Sequence, residues 1–183
     1  MDAIRLMEQR VKDHIERVIF FYSKMLELNL IPPQDARYDE VLEHDKDKLL
    51  TLNLEKQSYR FLPSPTPEQM DAINRVVRNH VKSNPHHFEY WGRPEQDHRS
   101  THIYCETMPD KYLYEMIADW MATAEERGTD PERFYLENQG ERFIFGGHQE
   151  FIILHRLGML RDYIDPKLKR TYSTNYIDPA YVK

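Results

Sequence analysis

Hydrophobic residues recur at steps of three and four along most of the chain, which is the spacing of amphipathic α-helices. The first such segment runs from residue 4 to residue 25 and ends before the Pro32-Pro33 pair. His14 lies on its apolar stripe, between Val11 and Val18. The pattern therefore predicts a long first helix that brings a histidine to the interior of the domain.

Two more helices are predicted in the first half of the chain. One follows the proline pair and carries the adjacent residues His44-Asp45. The next begins at Thr66, because Thr66 and Gln69 have the spacing of a capping box around a proline at the first helical position. This third helix carries His80 and ends at Asn84-Pro85, since the residue before a proline disfavours helical backbone.

The second half of the chain begins with a stretch that has no regular period. Residues 85–106 are expected to form a long ordered loop with at most a short helical turn, a kind of loop that usually has a function. The fourth helix is expected to open near Thr107, with Pro109 in its first turn. The last three helices are predicted at residues 107–128, 130–140 and 147–157, the final one stopping at Gly158. No run of alternating residues predicts a sheet.

Length and composition narrow the possible classes of protein. A chain of 183 residues is one domain of ordinary size, so we expect a single all-α bundle of about six helices over residues 1–160. An irregular tail over residues 161–183 is expected to pack on the bundle or on a partner subunit of a homodimer. Cys105 is the single cysteine and forms no internal disulfide, and no N-terminal apolar stretch is long enough for a signal peptide or a membrane helix. These features predict a cytoplasmic protein without a membrane partner.

The net charge of −6 disfavours duplex nucleic acid as a partner and favours a small ligand. Potential metal ligands lie on or beside the apolar stripes of four predicted helices, where ionisable groups are costly unless they are paired or coordinated. They are His14, His44, Asp45, His80 and Asp119, and the His86-His87 pair follows in the loop. Such residues on facing helices converge on the interior of a bundle. Imidazole and carboxylate together suit Mn, Fe, Co, Ni, Zn or Mg.

Other interpretations apply to individual residues. A single histidine on an apolar stripe is more often a satisfied core residue than a ligand, so the metal prediction depends on the joint placement of the set. Glu115, inside the fourth helix, could orient a ligand or act as a base, although an exposed glutamate is the simpler interpretation. His98 and His102 are expected in the exposed part of the loop, and His148 and His155, seven apart on the last helix, could share its packing face without any ion.

The order His14, His44-Asp45, Asp119 on successive predicted helices resembles the HD superfamily of metal-dependent phosphohydrolases, whose signature is His, His-Asp and Asp. Lys48, three residues after the aspartate, also recurs in many members. The blocks HVKSNPHHFEYW and MPDKYLYEMIADW, residues 80–91 and 108–120, are similar to a group of small, largely uncharacterised bacterial and phage members. The resemblance covers roughly residues 10–122.

This resemblance implies an HD-like all-α fold with one or two divalent ions. It implies a first ion held by His14, His44, Asp45 and Asp119, and a second held by His80 with His86 or His87. A metal-activated water would hydrolyse a nucleotide or a related small phosphate ester. Asp45 and Lys48 would be the catalytic pair, with Lys48 contacting the anionic substrate. Two alternatives stay open, an HD-type di-iron oxygenase and a non-enzymatic module stabilised by its metal.

Overall fold

The longest helix in residues 2–168, the part of the chain that the computed structural model describes, is α1 (Ala3–Glu27). The other helices in this part are α2 (Tyr38–Val41), α3 (Thr51–Ser58), α4 (Pro67–Ser83), α5 (Phe88–Trp91), α6 (Asp110–Arg127), α7 (Pro131–Asn138) and α8 (Gly147–Leu160). They form a single all-α domain, as the hydrophobic pattern predicts. This part of the chain has eight helices, whereas about six are predicted. Helices α2 and α5 have four residues each, which is too short for a period of hydrophobic residues to be recognised in the sequence.

Helix α4 begins where its sequence signal places it. The Thr66 hydroxyl accepts a hydrogen bond from the Gln69 backbone N–H at 3.3 Å, and the Gln69 side chain accepts one from the Thr66 N–H at 2.8 Å. The helix ends at Ser83, directly before Asn84-Pro85. Both ends are determined by residues within the helix or adjacent to it, and both predictions are confirmed.

The continuous second helix predicted through His44-Asp45 is wrong. Helix α2 ends at Val41, a 3₁₀ turn covers Lys46–Leu49, and α3 follows. Asp45 has φ +56° and ψ 9°, a left-handed conformation that does not continue a right-handed helix. Aspartate is one of the few residues other than glycine that adopt it readily. The resulting corner directs both side chains into one site, whereas consecutive residues of a helix point about 100° apart.

Helix α8 continues past its expected end at Gly158 and stops at Leu160. A glycine inside a helix costs only about 1 kcal/mol relative to alanine. Leu157 and Leu160 are 1% and 0% exposed, and their burial in the core outweighs that cost. Helix α6 begins at Asp110, with Pro109 as its N-cap instead of in its first turn.

A short parallel pairing that the sequence analysis did not predict joins β1 (Ile103–Tyr104) to β2 (Phe143–Ile144). Ile103 is opposite Phe143, and both side chains are 0% exposed. Strands of two residues are too short to show the alternation by which strands are recognised in a sequence. The pairing fixes the end of the loop after α5 against the segment after α7.

The interior contains two apolar clusters. The larger one combines residues of α1 from Val18 onward with the buried faces of α6 and α8 and with aromatic residues such as Tyr135 and Phe143. The smaller cluster consists of Met7, Val11, Ile15, Leu54 and Phe61. His14 lies on α1 between Val11 of the small cluster and Val18 of the large one. The predicted ligands therefore lie where the two clusters meet.

After α8 the described chain forms two 3₁₀ turns, Arg161–Tyr163 and Pro166–Leu168. The Asp165 backbone N–H between them donates to Glu125 Oε1 at 2.9 Å, which holds this segment against α6. The rest of the predicted tail, residues 169–183, lies outside the described residues. Within residues 2–168, no helix is both long and apolar enough to cross a bilayer.

Candidate metal centre

The carboxylate of Asp45 is at the centre of the histidine cluster. Its Oδ2 atom lies 3.7 Å from His14 Nε2 and 3.5 Å from His44 Nε2. Its Oδ1 atom lies 3.0 Å from His80 Nε2 and 3.6 Å from His86 Nε2. Two ligands of one metal ion, each about 2.1 Å from it, are roughly 3 to 3.5 Å apart. The two oxygens of one aspartate thus face two sets of imidazole nitrogens at distances suited to coordination.

Further ligand atoms complete the two sets. Asp119 Oδ1 is 3.0 Å from His14 Nε2, and His87 Nε2 is 2.8 Å from His80 Nε2. In each set the candidate ligand atoms all lie within 4.8 Å of one another. One set comprises His14, His44 and Asp45, and the other comprises Asp45, His80, His86 and His87, while His44, His86 and Asp119 form an overlapping third group. Asp45 is common to the first two.

Carboxylates contact the Nδ1 atoms of three of the imidazole rings. Glu115 Oε1 accepts from His44 Nδ1 at 2.9 Å and lies 3.1 Å from His86 Nδ1. Asp47 Oδ2 accepts from His80 Nδ1 at 2.8 Å. A ring that donates from Nδ1 in its neutral form has its lone pair on Nε2, and in all three rings Nε2 faces Asp45. This carboxylate–histidine arrangement fixes both the tautomer and the orientation that a metal ligand needs.

The buried polar atoms of the cluster test whether a divalent ion fits. His44 Nε2, His86 Nε2 and Asp45 Oδ1 are buried and form no hydrogen bond with any residue from 2 to 168. An unpaired buried polar atom lowers the stability of the fold. Three such atoms close together therefore indicate a binding partner that they share. Imidazole nitrogen and carboxylate oxygen are suitable ligands for divalent first-row metals. The cluster therefore fits a metal ion.

Burial and neighbouring charges act in opposite directions on the ionisable groups. Burial opposes ionisation of Asp45, but His44 and Lys48 hold the pKa of this carboxyl well below its ordinary value. Burial also opposes ionisation of Glu115, yet hydrogen bonds with His44 and His86 lower its pKa to about 2. Burial alone would lower the pKa of His86, whereas the interactions with Asp45 and Glu115 raise it to about 10. The carboxylates are therefore ionised and favour positive charge on His86, whereas burial lowers the pKa values of His44 and His87.

Local structure explains how His86 and His87 reach the cluster. Asn84-Pro85 ends α4, and the Asn84 side chain donates to the His80 carbonyl at 2.9 Å, which satisfies a carbonyl at the helix end. The Trp91 indole N–H donates to the Pro85 carbonyl at 2.9 Å. The chain between α4 and α5 is thereby held in a tight corner, and both histidines of the pair point into the site.

A cavity of about 220 Å³ opens beside the ligands. Five basic side chains line it together with the candidate ligands, namely Arg10, Lys48, Arg60, Arg127 and Arg142. The Lys48 ammonium group contacts Asp45 Oδ2 directly. Arg10 is paired with Glu126 at 2.6 Å, and Arg142 is 3.4 Å from Glu89. The cavity thus places cationic groups next to the candidate metal centre.

Comparison with known protein families gives one match. DUF5662, a family of unknown function, matches residues 4–156, which include all eight helices up to the last turn of α8. The chain belongs to DUF5662. No curated protein and no solved structure gives a significant match.

The DUF5662 chain brings together all seven ligands predicted from its sequence. They are His14, His44, Asp45, His80, His86, His87 and Asp119. One histidine of the His86-His87 pair was expected to be sufficient, and the structure places both in the cluster. His102, His148 and His155 remain outside it, and the last two are exposed on α8 instead of lying on its packing face.

Two residues of this DUF5662 member are misassigned by the sequence analysis. Glu115 is 9% exposed and hydrogen-bonded to the candidate ligand His44, and is not an exposed glutamate. Its position one turn before Asp119, on the same face of α6, was the available signal. The side chain of His98 is only 8% exposed and lines the cavity, whereas exposure was expected. Its loop has no period, so no pattern in the sequence indicates which of its residues turn inward.

Proposed function

We propose that this protein is a hydrolase that binds two divalent ions and cleaves a small phosphate ester, as the resemblance to the HD superfamily suggests. The observation that supports the proposal most strongly is the position of Asp45. Its two oxygens face two separate sets of imidazole nitrogens, within 3.7 Å on one side and 3.6 Å on the other. A carboxylate shared in this way is suited to holding two ions side by side.

His14, His44 and Asp45, together with Asp119 at 3.0 Å from His14, would hold one ion, and Asp45, His80, His86 and His87 would hold the other. When bound, divalent ions supply Lewis acidity and a nucleophilic water at neutral pH. Glu115 and Asp47 keep the rings in the orientation that coordination requires, through the hydrogen bonds to Nδ1. Hydrolysis then breaks the P–O bond to the alcohol and releases phosphate.

The cationic lining of the cavity supports an anionic substrate. Lys48 is the basic residue in direct contact with a candidate ligand, and its side chain is 22% exposed. Arginine and lysine are the usual contacts of phosphate oxygens, and they stabilise the charge that develops during phosphoryl transfer. A metal site with only a structural role has no need of a cavity with such a lining.

A second cavity, of about 500 Å³, adjoins the first. The two share Trp120, Thr123, Arg127 and Phe134 in their linings. Ligand-binding cavities of drug-sized molecules have volumes of about 300 to 1,000 Å³. The combined space supports a substrate as large as a nucleotide.

The proposal is tested by loading the metal-free protein with Mn²⁺, Co²⁺, Ni²⁺, Zn²⁺, Mg²⁺ or Fe²⁺ and measuring phosphate release from a panel of esters. Lys48→Met should raise KM by about tenfold or more, because hydrogen bonds to charged groups are worth about 1.5 to 3 kcal/mol. Lys46→Met is the matched control, since Lys46 is exposed and pairs only with Glu43 among the described residues.

Two outcomes contradict this function. If no ester releases phosphate with any of the metals, the hydrolase assignment is wrong. If the protein as purified contains iron and consumes dioxygen, the centre is an oxygenase site instead. Equal KM values for Lys48→Met and Lys46→Met would remove Lys48 from substrate binding.

A further inference from the structure

The cavity beside the metal centre also has a polar wall that contributes none of the candidate ligands. We use the term polar wall for Gln57 on α3, Glu89 on α5 and His98 in the loop before β1. Arg60 and Arg142 stand among these residues. Both lie close enough to His98 to act on its ring electrostatically, and Arg60 follows Gln57 by one turn.

Each residue of the polar wall has a buried polar atom without a hydrogen bond to any part of the described chain. These atoms are Gln57 Nε2, Glu89 Oε2 and both ring nitrogens of His98. Gln57 and Glu89 are each 2% exposed, and the His98 side chain is 8% exposed. The nearest carboxylate oxygen of Asp97 is 3.9 Å from His98 Nδ1, which is too far for a hydrogen bond.

Other contacts hold the polar wall in place. Arg142 Nη2 donates to Glu89 Oε1 at 3.4 Å and to the His98 carbonyl at 3.1 Å. Lys82 Nζ donates to the Glu89 carbonyl at 2.8 Å. The residue before His98, Asp97, accepts from Arg78 Nε at 2.5 Å. The unpaired atoms are therefore fixed by bonds made elsewhere in the same residues and their neighbours.

The unpaired atoms are a mixture of hydrogen-bond donors and acceptors. Gln57 Nε2 donates, a carboxylate oxygen of Glu89 accepts, and a neutral His98 ring has one nitrogen of each kind. A phosphate group has only acceptors to offer, and an apolar group offers neither. A hydroxyl group is both donor and acceptor, so adjacent hydroxyl groups match such a mixed set.

We propose that the polar wall binds the hydroxyl groups of the substrate's alcohol portion, so that the substrate is a polyhydroxylated phosphate monoester. The inference rests on the proposed hydrolase function, because it places the phosphate at the metal centre and the hydroxyl groups at the polar wall. Both lie in one cavity of about 220 Å³, which holds a phosphate group and a short polyol or sugar side by side.

The test compares two esters of nearly the same shape on the Mn²⁺-loaded protein. Glycerol 3-phosphate and propyl phosphate differ only in two hydroxyl groups. We expect kcat/KM for glycerol 3-phosphate to exceed that for propyl phosphate by at least about tenfold, since sites built to bind a hydroxyl discriminate strongly against analogues that lack it. In Gln57→Leu and in His98→Leu this ratio should fall toward one.

His102→Asn is the control. His102 is exposed in the same loop and has φ +53°, a conformation that asparagine tolerates, so its substitution should leave the ratio at the wild-type value. Equal efficiency on the two esters in the wild-type protein would overturn the polar-wall inference and leave the hydrolase function intact. Release of phosphate from neither ester, while other esters of the panel are hydrolysed, would overturn the polar-wall inference alone; release from no ester with any of the metals would overturn both.

Discussion

The two apolar clusters of this domain differ in size. Among the described residues, the large cluster has 25 buried members, including Ile117, Ile153 and Phe143. The small cluster has only five. Hydrophobic stabilisation is proportional to the apolar area removed from water, so the small cluster is the weaker of the two.

The histidine cluster lies where these regions meet. Its candidate ligands His14 and Asp119 lie on α1 and α6, which build the large cluster, and α1 also contributes Met7, Val11 and Ile15 to the small cluster. The remaining ligands come from residues 44–87, the stretch that contains α3 and α4. A metal ion bound by both groups would tie α3 and α4 to the larger body. We therefore expect apolar burial to be sufficient for one region and metal coordination to supplement it in the other.

The largest expected effect comes from the shared ligand. Asp45→Asn retains the shape of the side chain, and asparagine tolerates the left-handed backbone at this position. It removes a charged ligand common to both sets. Activity should fall at least about a thousandfold, because metal ions contribute several kcal/mol of transition-state stabilisation and each 1.4 kcal/mol is tenfold.

This prediction is checked by steady-state phosphate release together with elemental analysis of the variant. The control is Asp13→Asn, because Asp13 is partly exposed and precedes His14 in the sequence. This variant should keep wild-type activity and metal content. If Asp45→Asn retains both, the two sets do not share a ligand.

The next effect concerns the stability of the two regions. Removing the metal with a chelator should increase amide hydrogen exchange in α3 and α4 by about a hundredfold, relative to protein held at metal concentrations near 100 Kd. This is the stabilisation of about 2.7 kcal/mol that ligand binding supplies under those conditions. Amides of α6 and α8 that face the large cluster should change much less, because their exchange is limited by opening of a core that does not depend on α3.

The expected difference between the two regions is contradicted if α3 and α4 keep their exchange rates on chelation, or if all helices lose protection equally. In the second case the domain would unfold as one cooperative unit. Adding back Mn²⁺ should restore the original rates, which distinguishes loss of the metal from damage by the chelator.

The smallest of these effects is at Glu115, which orients two rings without being a predicted ligand. Glu115→Gln should weaken metal affinity by about 10- to 100-fold, the range typical for removal of a carboxylate behind a ligating histidine. Isothermal titration with Mn²⁺ measures the difference. Glu16→Gln on the exposed side of α1 is the matched control and should bind metal like the wild type. Equal affinities in both variants would show that the hydrogen bonds from Glu115 do not matter for binding.

The elements predicted well from the sequence are those whose signals are local. Helices α1 and α4 have long apolar stripes, and their ends are determined by prolines and a capping box within a few residues. Five of the seven candidate ligands could be named because ionisable residues on or beside an apolar stripe are costly unless they are paired or coordinated. The His86-His87 pair lies in the loop and was added through the resemblance to the HD superfamily.

The features that were missed depend on contacts between distant parts of the chain. Leu42, Asp45 and Leu49 have helical spacing, yet the chain turns at Asp45 because its side chain meets rings from α1 and α4. Glu115 is buried because its carboxylate contacts the rings of His44 and His86, which come from distant parts of the chain, and its place one turn before Asp119 was the available local signal. His98 is turned inward by the Arg78–Asp97 pair and by Arg142.

We propose that the buried histidine and aspartate side chains form a divalent metal centre. Titration of the metal-free wild-type protein with Mn²⁺ or Co²⁺, followed by calorimetry, measures this binding. We expect saturable binding of about two ions per chain at micromolar concentration or below, as is usual for sites built from preoriented nitrogen and oxygen ligands. Absence of saturable binding of either ion at micromolar concentration would contradict it.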